Sequence, residues 1–257
     1  MVHLCVSGLI NIFAPRLIVN RFGGFEFSIL DNRGRQRTKV RVMTMNRKAI
    51  CFLDTETTGL DPQVAEVIEV AVIRCEPDGS ETRFHTLIKP QRIEDAHPKA
   101  LEVNGYAADP SRWDDAPTMA EVGDRIADIT RNSVICGHNV GFDEAMISAN
   151  FKRAGVRRRI PYHKVDTVTL AWEHLVPLGL ERLSMDRIRE FLGWSKEGAH
   201  TAMKDAEDAK SLYDLLCRMT VEQRDSLRSY LKIKQIHDET KEEAPWLWDD
   251  YVHPGEE

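Results

Sequence analysis

The chain has 257 residues, of which 42% are hydrophobic and 30% charged, enough to bury one sizeable core. No run of 18 apolar residues occurs, so no membrane-spanning helix is supported. The net charge of −6 is uneven: residues 1–46 carry seven Lys or Arg against two acids, +5, which leaves −11 for the rest and does not suit nonspecific gripping of long duplex nucleic acid.

The five cysteines, Cys5, Cys51, Cys75, Cys136 and Cys217, are scattered without CxxC spacing, which argues against a disulfide framework or a structural zinc site. The N-terminus lacks a basic start followed by an apolar run and a cleavage site, so an intracellular, cytoplasmic protein is expected. Residues 1–45 show no sustained period and include "FGGFEF" and "RGRQRTKVRV". Three readings fit this extension: a flexible basic arm, a small hairpin, or a leader preceding a true start at Met43 or Met45.

From residue 49 the pattern becomes regular. "AICFLD", "EVIEVAVIRCE" and "TRFHTLIK" read as strands with a turn at Gly79 and Ser80, predicting an antiparallel meander. "PKALEVNG" and "TMAEVGDRIADIT" then read as helices, "SVICGH" as a buried strand, "FDEAMISANFKRAG" as a helix closed by Gly155, and "YHKVDTV" as a last short strand. Helices follow: "SMDRIREFLG", ending at Gly193, "TAMKDAEDAKSLYDLLCRM", and "TVEQRDSLRSYLKIKQI" with a Thr220-x-x-Gln223 capping box. The expected fold class is α/β, a mixed sheet of a three-strand antiparallel meander plus parallel strands, flanked by helices. The expected division is an extension at 1–45, a domain at 46–218, and a C-terminal helix with an acidic aromatic tail at 219–257.

Three places carry chemistry. Asp54 and Glu56, two residues apart, leave the first strand on one face. Anions about 4 Å apart repel by roughly 4 kcal/mol at an effective dielectric near 20, so the pair needs protons or a cation. Otherwise Asp54 caps a turn and Glu56 is solvated. Asp143 lies in the first turn of the helix after "GHN", where a helix dipole favours a carboxylate with or without a site. His200 precedes Asp205 by five residues, while Ala202, Ala206 and Ala209 form a small-residue stripe that lets that helix approach the sheet. Asp208 and Glu207 are expected to be solvated. Oxygen-only ligands in this number suit a pair of Mg²⁺ or Mn²⁺ ions better than zinc.

"FLDTETTGLD", "GHNVGFD" and "HTAMKDA", in that order and spacing, resemble the three sequence blocks of the DEDDh 3′-to-5′ exonucleases, the DnaQ-like family that includes the proofreading epsilon subunit of bacterial DNA polymerase III. The likeness covers residues 48 to about 217. It implies a ribonuclease H-like fold, two divalent metal ions held by Asp54, Glu56, Asp143 and Asp205 with Asp54 bridging, and His200 as general base. It further implies release of nucleoside 5′-monophosphates from a single-stranded 3′ end, with Thr57 and Leu60 touching the terminal nucleotide. His138 and Asn139 match the second block, Asn139 as a substrate contact or both as shapers of the loop that presents Asp143. Asp166 is read as structural. For Leu60 the competing expectation is core packing.

"KRAGVRRRIPYHK" gathers Lys152, Arg153, Arg157, Arg158 and Arg159, a candidate hold on a phosphate backbone or a solvated loop. The "DTETTGL" and "HxAxxDA" details resemble the proofreading branch of the family more than the oligoribonuclease branch, which implies DNA over RNA; a 3′-to-5′ exoribonuclease and a non-catalytic nucleic-acid- or polymerase-binding module of the same fold are the alternatives. "APWLWDDYV" in the tail is either a polymerase-subunit contact or packs through Trp246 and Trp248 on the protein's own surface.

Overall fold

The computed structural model describes residues 48–218, 225–227 and 229–231, together with the backbone of three strands before residue 43. The chain divides into two compact units, residues 1–48 and 49–257. In the first, β1 (Arg16–Val19), β2 (Phe25–Leu30) and β3 (Gln36–Val42) form an antiparallel sheet in chain order.

The second unit is built on β4 (Ala49–Thr57), β5 (Val67–Cys75), β6 (Glu81–Leu87), β7 (Ser133–Gly137) and β8 (Lys164–Asp166), in the order β6-β5-β4-β7-β8. β4, β5 and β6 make the expected antiparallel meander, and β7 and β8 add in parallel beyond β4. β4 and β5 are nearly continuous apolar runs because both their faces are covered. β6, at the edge, is mostly exposed.

Helices α1 (Pro98–Val103), α2 (Met119–Thr130), α3 (Val140–Ala154), α4 (Thr167–His174), α5 (Met185–Leu192) and α6 (Ala202–Arg218) flank this sheet. One face packs Cys51, Leu53, Val70 and Val72 against Ile126 of α2 and Met146, Ile147 and Phe151 of α3. The other packs Phe52, Ala71 and Ile73 against Ala202 and Ala206 of α6. The alanine stripe therefore does what its spacing implies, and Ala209 and Leu212 extend the core to α4 and α5. Local signals set the ends: Thr118 and Glu121 form a capping box on α2, and Gly155 and Gly193 close α3 and α5 with positive φ.

One boundary differs from expectation. β4 runs three residues past "AICFLD" because β5 keeps pairing with it, Asp54 opposite Ala71 and Glu56 opposite Glu69, with a register shift after Glu56. Asp54 is therefore inside a ladder and is not a turn cap. The Thr220–Gln223 box and the "APWLWDDYV" tail lie outside the described residues. Among the described residues no helix is long and apolar enough to cross a membrane.

Candidate active site

Alternation along β4 sends Cys51, Leu53 and Thr55 toward α3 and Phe52, Asp54 and Glu56 toward α6. Asp205, in the first turn of α6, meets the second set: single carboxylate oxygens of Asp54, Glu56 and Asp205 lie within 4.8 Å of one another. Asp143, in the first turn of α3, approaches from the opposite face. It is 3% exposed, and its Oδ1 accepts a 2.7 Å hydrogen bond from Thr55 Oγ1. Asp143 stands outside the tight group of three, yet its charge acts on Asp54. The acids thus converge from both faces on the carboxyl end of the central strand, where the neighbouring strand turns away.

No basic side chain is ion-paired to Asp54 or Glu56 among the described residues, and the electrostatics reflect that. Burial, then the charges of Asp143 and Asp205, pushes Asp54 well above the ordinary carboxylate range. Burial, then Asp205, Glu69 and Asp143, pushes Glu56 up to about 8. Burial raises Asp143 to about 7, opposed by its hydrogen bonds with Thr55. Acids this close hold protons or share a cation. The donor set consists of carboxylate oxygens, which fits a hard divalent ion.

His200 is exposed in the lead-in to α6, with a left-handed φ of 64°. Its ring is not in the carboxylate group, and its Nε2 lies 3.6 Å from Asp186 Oδ2, beyond hydrogen-bond length. His138 is fixed by Thr167 Oγ1 at 2.9 Å and the Leu183 carbonyl at 2.7 Å. Asn139, at φ 64°, donates its backbone N–H to Asp166, leaving its exposed side chain out of the cap. Asp166 also accepts from Val168 N–H and so caps α4.

The "TTGL" turn is rigid. Thr57 Oγ1 donates to the Gly59 carbonyl at 2.7 Å, Asn104 donates to the Thr57 carbonyl at 3.0 Å, and His97 N–H donates to the Thr58 carbonyl at 2.7 Å. Thr57 is buried and spends its hydroxyl inside the turn. Leu60 is 83% exposed, which rules out core packing. With Glu56, Val64, Lys99, Val103 and Phe142 it lines a cleft of about 620 Å³.

Two expectations are corrected. Asp208 is not solvated. It is 4% exposed because α5 brings the fully buried Arg189 against it, Nε to Oδ2 at 2.7 Å, and Lys204 Nζ closes on its other oxygen at 2.7 Å. The basic cluster is not one patch: Arg153 donates to the carbonyls of Pro62, Gln63 and Ala65, while Arg158 pairs with Asp124 and Asp128 of α2. Arg157 and Arg158 line a separate hollow with Ala120 and Asp124. They follow the C-terminus of α3, on the order of 18 Å along the helix from Asp143 at 1.5 Å per residue.

Sequence reading missed Glu69, Asp186 and Arg189. Glu69 is 2% exposed; its Oε1 accepts from Ala202 N–H at 3.2 Å and lies 2.8 Å from His85 Nε2, tying the start of α6 to β5. The available signal was a lone acid inside the apolar run of β5. For Arg189 it was a charge on the Met185, Ile188, Leu192 stripe of α5.

The exonuclease family model matches residues 51–213, which contain all four acids and His200. The chain belongs to the exonuclease family. Its three blocks and mixed sheet are those of the DnaQ-like 3′-to-5′ exonucleases, and divalent metal dependence is common to that family. Among its relatives, DNA polymerase III PolC-type of Thermotoga petrophila is 32% identical over 155 residues, 60% of this chain and 11% of that protein. Ribonuclease T of Haemophilus influenzae (strain PittEE) is 30% identical over 210 residues, 75% of this chain and 87% of that protein. DNA polymerase III subunit epsilon of Aquifex aeolicus is 30% identical over 155 residues, 60% and 73%. The chain thus spans only about a tenth of the PolC-type proteins it matches. The crystal structure of E. coli exonuclease I with a dA16 oligonucleotide shares the fold, with TM-score 0.57 and 21% identity over 72% of this chain and 43% of that one.

Proposed function

We propose that this chain is a metal-dependent 3′-to-5′ exonuclease that removes nucleoside 5′-monophosphates from single-stranded 3′ ends of DNA, in proofreading or repair. The observation that carries the reading is the meeting of Asp54, Glu56 and Asp205 oxygens within 4.8 Å, with no basic side chain ion-paired to the first two among the described residues and Asp143 behind them. In this reading those four acids hold two divalent ions, Mg²⁺ or Mn²⁺. Ions so bound polarise the scissile phosphate, lower the pKa of the attacking water and stabilise the departing 3′-oxygen. The rest is the work of this chain's own groups. His200 takes the water's proton, and its exposed position leaves the ring accessible to that water. The rigid "TTGL" turn offers Leu60 to the terminal base, and burial of that side chain favours a bound nucleotide. Thr57 acts by holding the turn, and Asn139 has an exposed amide with which to meet substrate. Arg157 and Arg158 are too far from the acids to touch the reacting nucleotide, so any hold they have is on more distant backbone.

A second reading, RNA as substrate, is favoured by the likeness to ribonuclease T, whose length this chain covers more fully than that of the polymerase relatives. A polymerase partner is suggested by the epsilon-subunit and PolC-type relatives. A panel of single-stranded DNA, matched and mismatched duplex DNA, and RNA, all 3′-labelled, separates the substrates. DNA ends, single-stranded or mismatched, are expected to be degraded fastest; faster loss of RNA would overturn the DNA assignment.

A further inference from the structure

Among the described residues Arg189 is the largest fully buried charged side chain, and the catalytic reading gives it no task. Its guanidinium serves three carboxylates from two helices: Nε donates to Asp208 Oδ2 at 2.7 Å, Nη1 to Asp186 Oδ1 at 2.8 Å, and Nη2 to Asp205 Oδ1. Asp205 is one of the three acids whose oxygens meet, and the other oxygen of Asp186 is the atom nearest His200 Nε2, at 3.6 Å. One planar, rigid group therefore touches a proposed metal ligand directly and the proposed base through a single intermediary.

We propose that Arg189 and Asp186 are positioning residues: Arg189 holds the Asp205 carboxylate directly and, through Asp186, sets the carboxylate that His200 faces, so that metal site and base share one frame. The proposal rests on the exonuclease reading above. Arg189 donates to one oxygen of Asp205 and so fixes the plane of the carboxylate that would hold an ion. Asp186 sets a carboxylate oxygen 3.6 Å from His200 Nε2, the charged neighbour that this ring faces. Asp208 and Lys204 complete the balance, so the guanidinium is held from the far side and cannot follow Asp205 if that carboxylate moves. The arrangement depends on the guanidinium fork: a lysine keeps the charge but cannot direct donors to three carboxylates at once.

The test compares full-length wild type, Arg189→Lys, Asp186→Asn and Leu212→Ala. Mn²⁺ binding is followed by calorimetry on protein freed of metal, and kcat and KM are measured on a single-stranded oligonucleotide. Arg189→Lys is expected to bind Mn²⁺ roughly 10-fold more weakly, in the range seen when groups orienting metal ligands are changed. Asp186→Asn should keep Mn²⁺ affinity within about two-fold, since Arg189 still holds Asp205 and Asp208, and lose about 10-fold in kcat at unchanged KM. Leu212→Ala opens the α5–α6 core without touching a carboxylate; it should lower Tm and leave Mn²⁺ affinity unchanged below the transition. Wild-type Mn²⁺ affinity in a folded Arg189→Lys protein, or an equal loss in Leu212→Ala, would overturn the proposal. Should Arg189→Lys not fold, an unchanged kcat in Asp186→Asn overturns it by itself. Wild type that binds no Mn²⁺ removes the exonuclease reading and this one together, whereas binding that the variants do not alter removes only this one.

Discussion

Leu60 stands 83% exposed at the end of a turn locked by the hydrogen bonds of Thr57 and Thr58 and at the rim of the cleft beside Glu56. An apolar side chain held rigidly in water gives nothing to folding and is available to a base. Leu60→Ala is therefore expected to change stability by no more than about 0.5 kcal/mol. On a single-stranded oligonucleotide it should raise KM about 5-fold, the loss of roughly 1 kcal/mol of buried apolar contact, with a much smaller change in kcat. Steady-state kinetics and urea unfolding on the same preparation check both halves. A loss of stability without a rise in KM would return Leu60 to a packing role.

At the scale of elements, the site depends on how closely β4 and β7 run. Gly137 ends β7 where an added Cβ would lie 2.7 Å from the Leu53 carbonyl oxygen and 3.1 Å from Val140, the first residue of α3. Neither the strand backbone nor the start of a helix yields easily. Gly137→Ala should cost about 1–3 kcal/mol and lower kcat as well, since it pushes apart the strand bearing Asp54 and the helix bearing Asp143; urea unfolding and turnover measure the two. The elements themselves were legible: apolar runs gave the meander and β7, Gly155 and Gly193 marked helix ends, and the alanine stripe placed α6 on the sheet. The blocks around Asp54, Asp143 and His200 were legible because they match the family's blocks in order and spacing. What sequence could not supply was lateral pairing. The extension of β4 to Thr57 comes from β5 continuing beside it, the burial of Asp208 from Arg189 on another helix, and the dispersal of the basic loop from carbonyls and acids that α3 and α2 bring to it. Each is set by a neighbour distant in sequence, which period and propensity do not encode.

For the molecule as a whole, the raised acids make stability depend on pH and metal in opposite senses. Unfolded carboxyls ionise near pH 4, while the folded chain keeps a proton on Asp143 to about 7 and on Glu56 to about 8. Across that window the native state binds more protons than the unfolded one, so stability without metal falls as pH rises from about 4 through about 8. A divalent ion needs the same oxygens deprotonated, so its stabilisation grows over the same range. In EDTA, Tm should drop between pH 5 and pH 8; with millimolar Mn²⁺ the drop should shrink or reverse. Differential scanning calorimetry at both pH values, with and without Mn²⁺, checks the sign. A Tm in EDTA that rises from pH 5 to pH 8 would mean that a cationic side chain already neutralises the acids.

The central claim is that Asp54 and its companions form the metal centre of a 3′-to-5′ exonuclease. Its most direct measurement is the release of mononucleotides from a 3′-labelled single-stranded oligonucleotide by wild type and Asp54→Asn, each with Mg²⁺ and with EDTA. Stepwise loss from the 3′ end by wild type in Mg²⁺ alone, with Asp54→Asn at least 1,000-fold slower (on the order of 4 kcal/mol), is the result predicted. Full activity in EDTA, or in a folded Asp54→Asn protein, would contradict it.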